Sequence, residues 1–294
     1  MGTSSDLEIK IINKAEYPEN LQNIHRPPKR LWMRGKWPDL KTHRFLCVIG
    51  SRVNSSYGAE AVKKLISGLK GYPISVVSGL AIGIDSLAHE AALDAGLHCV
   101  GFPGSGLDWS VLYPKSRHRL ARRIIETDGA LLSEWEPMFP FTEWTFAARN
   151  RLMAGLAQAT LIIEGREGSG TLKTAEYVAS YGRDQLIVPG SIFSDLSYGP
   201  HMLYRDGATP ITNSVELLGA LGFIAPPSGA IPDERFQSLD DTSKKIISFI
   251  RRGETSCDLL LEELNVRYSE LSVKLSELEM DGLIKILGGE LFLA

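Results

Sequence analysis

The chain has 294 residues, of which 44% are hydrophobic and 23% are charged, and its formal net charge is −3. This composition is that of an ordinary globular protein, and the length fits one large domain with or without a smaller second one. The slightly negative charge excludes a uniformly basic nucleic-acid binder, so a site for nucleic acid must be a local patch. Without an apolar run of ~18 residues or a secretory leader pattern, we expect a cytoplasmic protein.

The first 225 residues divide into two regions of different character. Residues 1–40 are polar and rich in proline, so we predict an irregular N-terminal arm. Residues 41–225 alternate short apolar runs with glycine-containing loops and helical segments. The apolar runs are Phe45–Ile49, Ile74–Val77, His98–Phe102, Ala130–Leu132, Thr160–Ile163 and Gln185–Val188, and the helices are near 58–70, 84–95, 115–126, 146–157 and 171–182. This repeat predicts an α/β fold with a doubly wound parallel sheet.

The last part of the chain predicts a small second domain after a linker at 226–238. Residues 239–294 contain three helical segments, near 242–252, 256–264 and 268–281, and then two apolar runs separated by Gly288-Gly289. Three helices followed by a hairpin are typical of a winged helix. This region has 7 basic and 11 acidic residues, so we expect it to contact protein rather than the major groove of DNA.

Glycine-rich loops follow the predicted strands and indicate an anion site at their carboxyl ends. Gly50-Ser51-Arg52 follows the first strand, and Gly79 and Gly83 follow the second. Ser169, Gly170, Thr171, Lys173 and Thr174 open the helix after the fifth strand. Helix starts of this kind offer free N–H groups and a positive dipole end to a phosphate. The loop lacks the Gly-Lys-Ser/Thr of a Walker A motif, which excludes ATP hydrolysis by that route.

Further basic and aromatic residues are candidates for the same ligand. Arg149, Asn150 and Arg151 open a predicted helix, and we expect one arginine to contact phosphate while the other braces the loop. Lys115 begins a basic run, and Tyr113 is a candidate for stacking on bases. Trp109 is expected in the core instead.

The residues that suggest catalysis or a metal are better explained by structure. Asp85 and His89 are four positions apart, and we expect Asp85 to complement the dipole of its helix rather than act in acid–base chemistry. Cys47, Cys99 and Cys257 are far apart, and we predict three reduced cysteines. We therefore predict no catalytic residue, metal or cofactor.

These motifs, taken in order, resemble the DprA/Smf family of DNA-processing proteins. The matching residues are Tyr17-Pro18, Pro27-Pro28, Gly35, Val48–Arg52, Ser78–Ala81, Gly83–Asp85, Ala88-His89, Gly104–Leu107, Tyr113-Pro114, Leu132–Glu134, Arg149–Arg151, Ser169–Leu172, Thr174-Ala175, Pro189-Gly190 and Gly207-Ala208. The resemblance implies an extended Rossmann-like fold that binds single-stranded DNA without catalysis. It also implies a homodimer that loads a RecA-type recombinase during natural transformation.

Two other functions stay open, one suggested by departures from the family pattern and one by the glycine loop together with Glu164. Ile82 replaces a basic residue that is usual in the family, and Lys173 replaces an apolar one. Proteins similar to this family also occur in defence and toxin–antitoxin loci, so an antitoxin with a toxin partner is one alternative. A nucleotide sensor or a nucleoside-monophosphate N-glycoside hydrolase is the other, although Thr174 occupies the position of the glutamate in the hydrolase motif.

Overall fold

The structure is a computed structural model that divides into two compact units, residues 1–223 and residues 224–294. It describes residues 8–223, 236, 238–251, 256–264, 266–287 and 290–293. Among these residues no helix combines the length and the apolar character that crossing a membrane requires.

The first unit is built on one nine-stranded sheet. Its strands are β1 (Ile9–Asn13), β2 (Arg30–Gly35), β3 (Arg44–Ile49), β4 (Ile74–Ser78), β5 (His98–Gly101), β6 (Ala130–Ser133), β7 (Ala159–Ile162), β8 (Asp184–Ile187) and β9 (Thr209–Pro210). They lie in the order β1-β2-β6-β5-β4-β3-β7-β8-β9. Strands β3 to β9 pair in parallel, whereas β2 runs antiparallel to β6 and β1 antiparallel to β2. The predicted doubly wound parallel sheet is thus confirmed.

Nine α-helices are described in the same unit. They are α1 (Glu19–Gln22), α2 (Ser56–Ser67), α3 (Ile84–Asp94), α4 (His118–Glu126), α5 (Glu143–Ala148), α6 (Asn150–Leu156), α7 (Gly170–Ser180), α8 (Tyr198–Arg205) and α9 (Ser214–Ala220). The helix predicted at 146–157 is two helices that meet at Arg149, which ends α5 and precedes α6. The first of the two begins earlier than predicted because the side chain of Thr142 caps it by accepting a hydrogen bond from the Thr145 amide.

The prediction of an irregular N-terminal arm was wrong for residues 9–13 and 30–35. These residues form β1 and β2 and extend the sheet, with Ile12 opposite Leu31 and Met33 opposite Leu132. The prolines that suggested irregular structure lie between or after these strands, where no backbone N–H is needed for a ladder. The buried side chains of Ile12, Leu31 and Met33 hold both strands against the core.

The strands of the parallel part are buried on both faces, as continuous apolar runs require. In β3, Leu46, Cys47 and Val48 are fully buried. Cys99 in β5 is equally buried, and both cysteines are free thiols. Helices cover both faces, so the carboxyl ends of the strands are left as the accessible rim of the sheet.

The second unit has the elements of a winged helix. They are α10 (Asp241–Arg251), α11 (Cys257–Leu264), α12 (Tyr268–Met280), β10 (Ile284–Leu287) and β11 (Glu290–Leu293). The two strands pair antiparallel, with Ile284 opposite Leu293, and Ile247, Phe249 and Leu260 contribute to a separate apolar core. The predicted Gly288-Gly289 turn and residues 226–235 of the predicted linker lie outside the described residues.

Candidate functional site

A pocket of about 430 Å³ opens at the carboxyl ends of β4, β3 and β7, which are neighbours in the sheet. Its lining residues are Ile49, Gly50, Ser51, Arg52, Val53, Ala81, Asp85, Phe146, Arg149, Asn150, Met153, Arg166, Ser169, Gly170, Thr171 and Thr174. Three of these described residues are arginines and one is a carboxylate. The pocket therefore favours an anion.

Arg52 is the exposed cation of the first strand-end loop. Its guanidinium carbon lies 4.7 Å from the centre of the Phe146 ring, which supports the side chain from one side. The loop itself is held because the Ile84 amide donates to the Ser51 carbonyl over 3.1 Å. Gly83 has φ +82°, and a Cβ there would lie 2.3 Å from that carbonyl oxygen. Glycine is thus required for the close approach that fixes Arg52.

Arg149 lines the pocket from below, with only 4% of its surface exposed. Its Nη2 lies 3.7 Å from Oδ2 of Asp85, and its Nη1 donates to the carbonyl of Phe102. Gly79 leaves room for the guanidinium, since a Cβ at that position would lie 1.9 Å from Nη1. Arg149 therefore links the ends of three separate segments, and Phe146 covers it with a ring centre 4.4 Å from its guanidinium carbon.

Burial opposes both charges of this pair, and the pairing offsets part of that effect. Desolvation lowers the pKa of Arg149 to about 10, while Asp85 acts to raise it. Desolvation raises the pKa of Asp85, while Arg149 acts to lower it. The arginine stays protonated at neutral pH, and the Gly79 amide also donates to Oδ2 of Asp85 over 3.2 Å. The floor of the pocket is consequently a buried arginine–aspartate pair.

The amino terminus of α7 forms the opposite wall. Ser169 is the N-cap residue of this 11-residue helix, but its side chain makes no capping hydrogen bond. The first amides of a helix have no acceptor within it, so those of Gly170 and Thr171 remain available as donors. A Cβ added to Gly170 would meet no described atom within 4 Å. An anion can thus approach the backbone closely at the positive end of the helix.

Glu164 and Asp85 are two acidic residues at this end of the sheet that have structural partners. Glu164 is 4% exposed and accepts hydrogen bonds from the Ser55 amide, over 3.1 Å, and from the Ser55 hydroxyl. It thereby ties the end of β7 to the start of α2.

His89 is fully buried next to the site, and burial lowers its pKa to about 4. Asp85 lies in the first turn of α3, where its charge complements the helix dipole.

The structure brings most of the predicted site residues together. Those that line the pocket are Gly50, Ser51, Arg52, Arg149, Asn150, Ser169, Gly170, Thr171 and Thr174. Gly79 and Gly83 lie behind it and accommodate Arg149 and the Ser51 loop, respectively. Direct contact of these residues with a ligand stays a prediction.

The other predicted cations lie outside the pocket lining. Arg151 binds Glu134, with Nη2 2.6 Å from Oε1, and donates to the carbonyl of Arg26 over 2.9 Å. It therefore braces the chain, as one of the two arginines was expected to do. Lys115 and Lys173 are exposed and do not line the pocket. Any contact they make with a ligand would be outside it.

Arg166 and Phe146 are among the pocket residues that the sequence did not single out. Arg166 is exposed at the rim and comes from the loop before α7. A basic residue four positions before Gly170 was the available signal for it. Phe146 is 9% exposed and supports both Arg52 and Arg149. No pattern in the sequence indicates that an aromatic ring sits between two arginines.

The aromatic candidates have protein partners. Tyr113 stacks on Phe141 with ring centres 3.9 Å apart, and 40% of its surface is exposed. Trp109 is half-buried and contacts the guanidinium groups of Arg34 and Arg122, whose central carbons lie 4.9 and 4.2 Å from its ring centre. Within the described parts of the chain, no group of three or more His, Cys, Asp or Glu residues is placed to hold a metal ion.

Comparison with protein families gives two matches that together span most of the chain. The model described as DNA recombination-mediator protein A matches residues 8–222. The model described as DprA winged helix domain matches residues 230–290. The first match covers the whole sheet and the pocket.

Curated proteins and solved structures of the same kind are also similar to this chain. DNA processing protein DprA of Streptococcus pneumoniae is 40% identical over 70% of this chain and 72% of its own length. Protein Smf of Escherichia coli is 31% identical over 93% of this chain and 74% of its own length. A structure of DNA processing protein A from Helicobacter pylori, studied for its single-stranded DNA binding mode, superimposes with a TM-score of 0.65. It is 26% identical and covers 74% of this chain and 97% of its own.

Proposed function

Since this chain belongs to the DprA/Smf family of DNA-processing proteins, we propose that it binds single-stranded DNA at the strand-end pocket. The observation that carries the proposal is the convergence of Arg52, Arg166 and the amino terminus of α7 on one pocket. These are the groups that recognise a phosphate through its charge and its acceptor oxygens. None of them reads a base edge, so the binding is independent of sequence.

The three arginines of the pocket have different roles in the proposed binding. Arg52 and Arg166 are exposed and offer guanidinium forks to phosphate oxygens. Arg149 is buried against Asp85, and its guanidinium offsets any negative charge that this carboxyl group places in the pocket. The amides of Gly170 and Thr171 donate to a phosphate from the opposite wall. A single strand is favoured over a duplex because its backbone can bend into a pocket of this size.

The finer parts of the function follow from the family resemblance and from the placement of the acidic groups. We infer a protein without catalysis, because Glu164 and Asp85 are engaged by Ser55 and Arg149. We further infer that it acts in the cytoplasm as a homodimer and loads a RecA-type recombinase onto the bound strand. The acidic second unit fits contact with protein better than contact with DNA.

Titration of a labelled oligothymidylate at several salt concentrations tests the proposal. Affinity should fall with salt by a logarithmic slope of about 0.7 for each neutralised phosphate. Arg52→Ala should weaken binding to all sequences equally. It should also reduce that slope by about 0.7, the contribution of one phosphate. Incubation with nucleoside monophosphates should release no free base.

Arg44→Ala is the matched control. Arg44 is an exposed arginine at the amino-terminal end of β3, whereas Arg52 follows the carboxyl end of the same strand. Arg44→Ala changes the net charge by the same amount as Arg52→Ala, but it should leave the affinity for DNA unchanged. Failure of the unaltered protein to bind at low salt, or equal losses in both variants, would contradict a phosphate site at the carboxyl ends of the strands.

A further inference from the structure

A second cleft, of about 580 Å³, lies beside the strand-end pocket in the same unit. Arg166 lines both, so the two spaces share a wall. The other lining residues include Glu167, Phe193, Asp195 and Tyr198. A polymer that is held in the first pocket and leaves it past Arg166 would enter this cleft.

Phe193 is the most exposed large apolar side chain among the described residues, at 93%. It stands in the loop after β8 beside Ile192, which is 81% exposed. The loop is held beneath them, because the Phe193 amide donates to Oγ of Ser191 over 3.2 Å and the Ser194 amide donates to the Ser191 carbonyl over 3.1 Å. An aromatic ring is thus presented to solvent by an ordered turn.

The charges of the cleft discriminate between the parts of a nucleotide. Glu167 and Asp195 line it together with Arg166, so it has no excess of positive charge. The hydroxyl of Tyr198 donates to Oε1 of Glu167 over 3.1 Å, which holds that carboxylate in place. A phosphate would be repelled by the two carboxylates. An uncharged base would not, and it would gain a ring to stack on.

We propose that this cleft is a base subsite, in which Phe193 stacks on a base of the strand whose phosphate lies in the first pocket. The inference rests on the proposed function, because it takes the ligand to be single-stranded nucleic acid. Stacking accepts any base, so the subsite adds affinity without sequence preference. Arg166, on the shared wall, is placed to contact the phosphate between the two spaces.

An abasic strand separates the two sites experimentally. It has the sugar–phosphate backbone of oligothymidylate and no bases, so it engages only the phosphate pocket. Phe193→Ala should weaken oligothymidylate binding about 5- to 150-fold, the range for one stacked base, and leave abasic binding unchanged. Phe193→Trp should restore affinity. Arg52→Ala should weaken binding of both ligands.

Tyr268→Ala is the control, because it removes an exposed aromatic side chain from the second unit and should change neither affinity. If Phe193→Ala leaves oligothymidylate binding intact while Arg52→Ala weakens it, the base subsite is wrong and the phosphate pocket stands. Equal losses on both strands, or a change of sedimentation showing that Phe193 serves contact between copies, would also overturn the subsite. If no form binds either strand, the proposed function fails with it.

Discussion

Arg149 and Asp85 form a buried ion pair beneath the strand-end pocket, with Nη2 of the arginine 3.7 Å from Oδ2 of the carboxylate. Their side chains are only 4% and 9% exposed. The pair joins the start of α3 to the junction of α5 and α6, and the arginine also reaches the carbonyl that follows β5. It is a structural element of the site as well as part of its lining.

Loss of either partner should destabilise the first unit. Asp85→Asn or Arg149→Met leaves one charge buried without its counterpart, which costs about 3 kcal/mol of unfolding free energy. The double variant should be more stable than the sum of the two losses predicts. Urea unfolding followed by tryptophan fluorescence measures this, because all five tryptophans lie in the first unit. Strict additivity would show that the pair contributes nothing as a pair.

Gly170→Ala should weaken DNA binding without lowering the stability of the first unit. The added methyl meets no described atom within 4 Å, and alanine favours a helix over glycine by about 0.5–1 kcal/mol, so stability should hold or rise. A phosphate that lies against the α7 amides would collide with the methyl, and affinity for oligothymidylate should fall at least about tenfold. Gly219→Ala in α9 is equally unobstructed and should leave affinity unchanged. Unaltered affinity in Gly170→Ala would show that the phosphate does not bind at the amino terminus of α7.

Ile82→Lys should increase the affinity for single-stranded DNA. Ile82 is 43% exposed next to Gly83, which contacts the Arg52 loop, so a lysine there places a cation at the edge of the pocket. We expect a gain of a few-fold and a steeper salt dependence, by about 0.7 in slope. Ile11→Lys is matched in charge and in exposure, at 44%, but lies on the edge strand β1 and should have no effect. Equal gains in both would indicate a nonspecific effect of net charge.

His89 should make the first unit lose stability in mild acid. Burial lowers its pKa from 6.5 to about 4, so the unfolded chain binds the extra proton between these values and the folded chain does not. Stability is therefore complete above pH 6.5 and falls as the pH drops toward 4, by about 2 kcal/mol at pH 5. His89→Leu should reduce the loss of stability between pH 7.5 and pH 5 by about 2 kcal/mol, measured by urea unfolding at both values. The loss caused by His98, whose pKa burial also lowers to about 4, should remain. An unchanged pH dependence would mean that other groups cause it.

The parallel sheet could be predicted because each central strand is a continuous apolar run closed by small residues. Gly50–Arg52 and Ser169–Thr174 follow two such strands, and neighbouring parallel strands place their carboxyl ends at one rim. The pocket was therefore predictable in position. Strands β1 and β2 were not, since the prolines between them outweighed the short apolar patterns within them.

The role of each side chain at the rim depends on tertiary packing and could not be read from spacing. Arg149 has the sequence context of a ligand-binding residue, yet the space left by Gly79 lets it turn inward to Asp85. Phe146 became part of the site only because α5 ends at Arg149 and places the ring over two guanidinium groups. Such contacts join residues far apart in the chain, and local patterns have no information about them.

The loops around the pocket are fastened to one another across the sheet. Ile84 donates to Ser51, Ser55 donates to Glu164, and Arg149 donates to the carbonyl of Phe102. A rim tied in this way loses little freedom when a strand arrives, so most of the ordering falls on the nucleic acid. Association with DNA should then follow a single kinetic phase whose rate depends on ionic strength. This is expected when diffusion and electrostatic steering, rather than a rearrangement of the protein, limit the association rate.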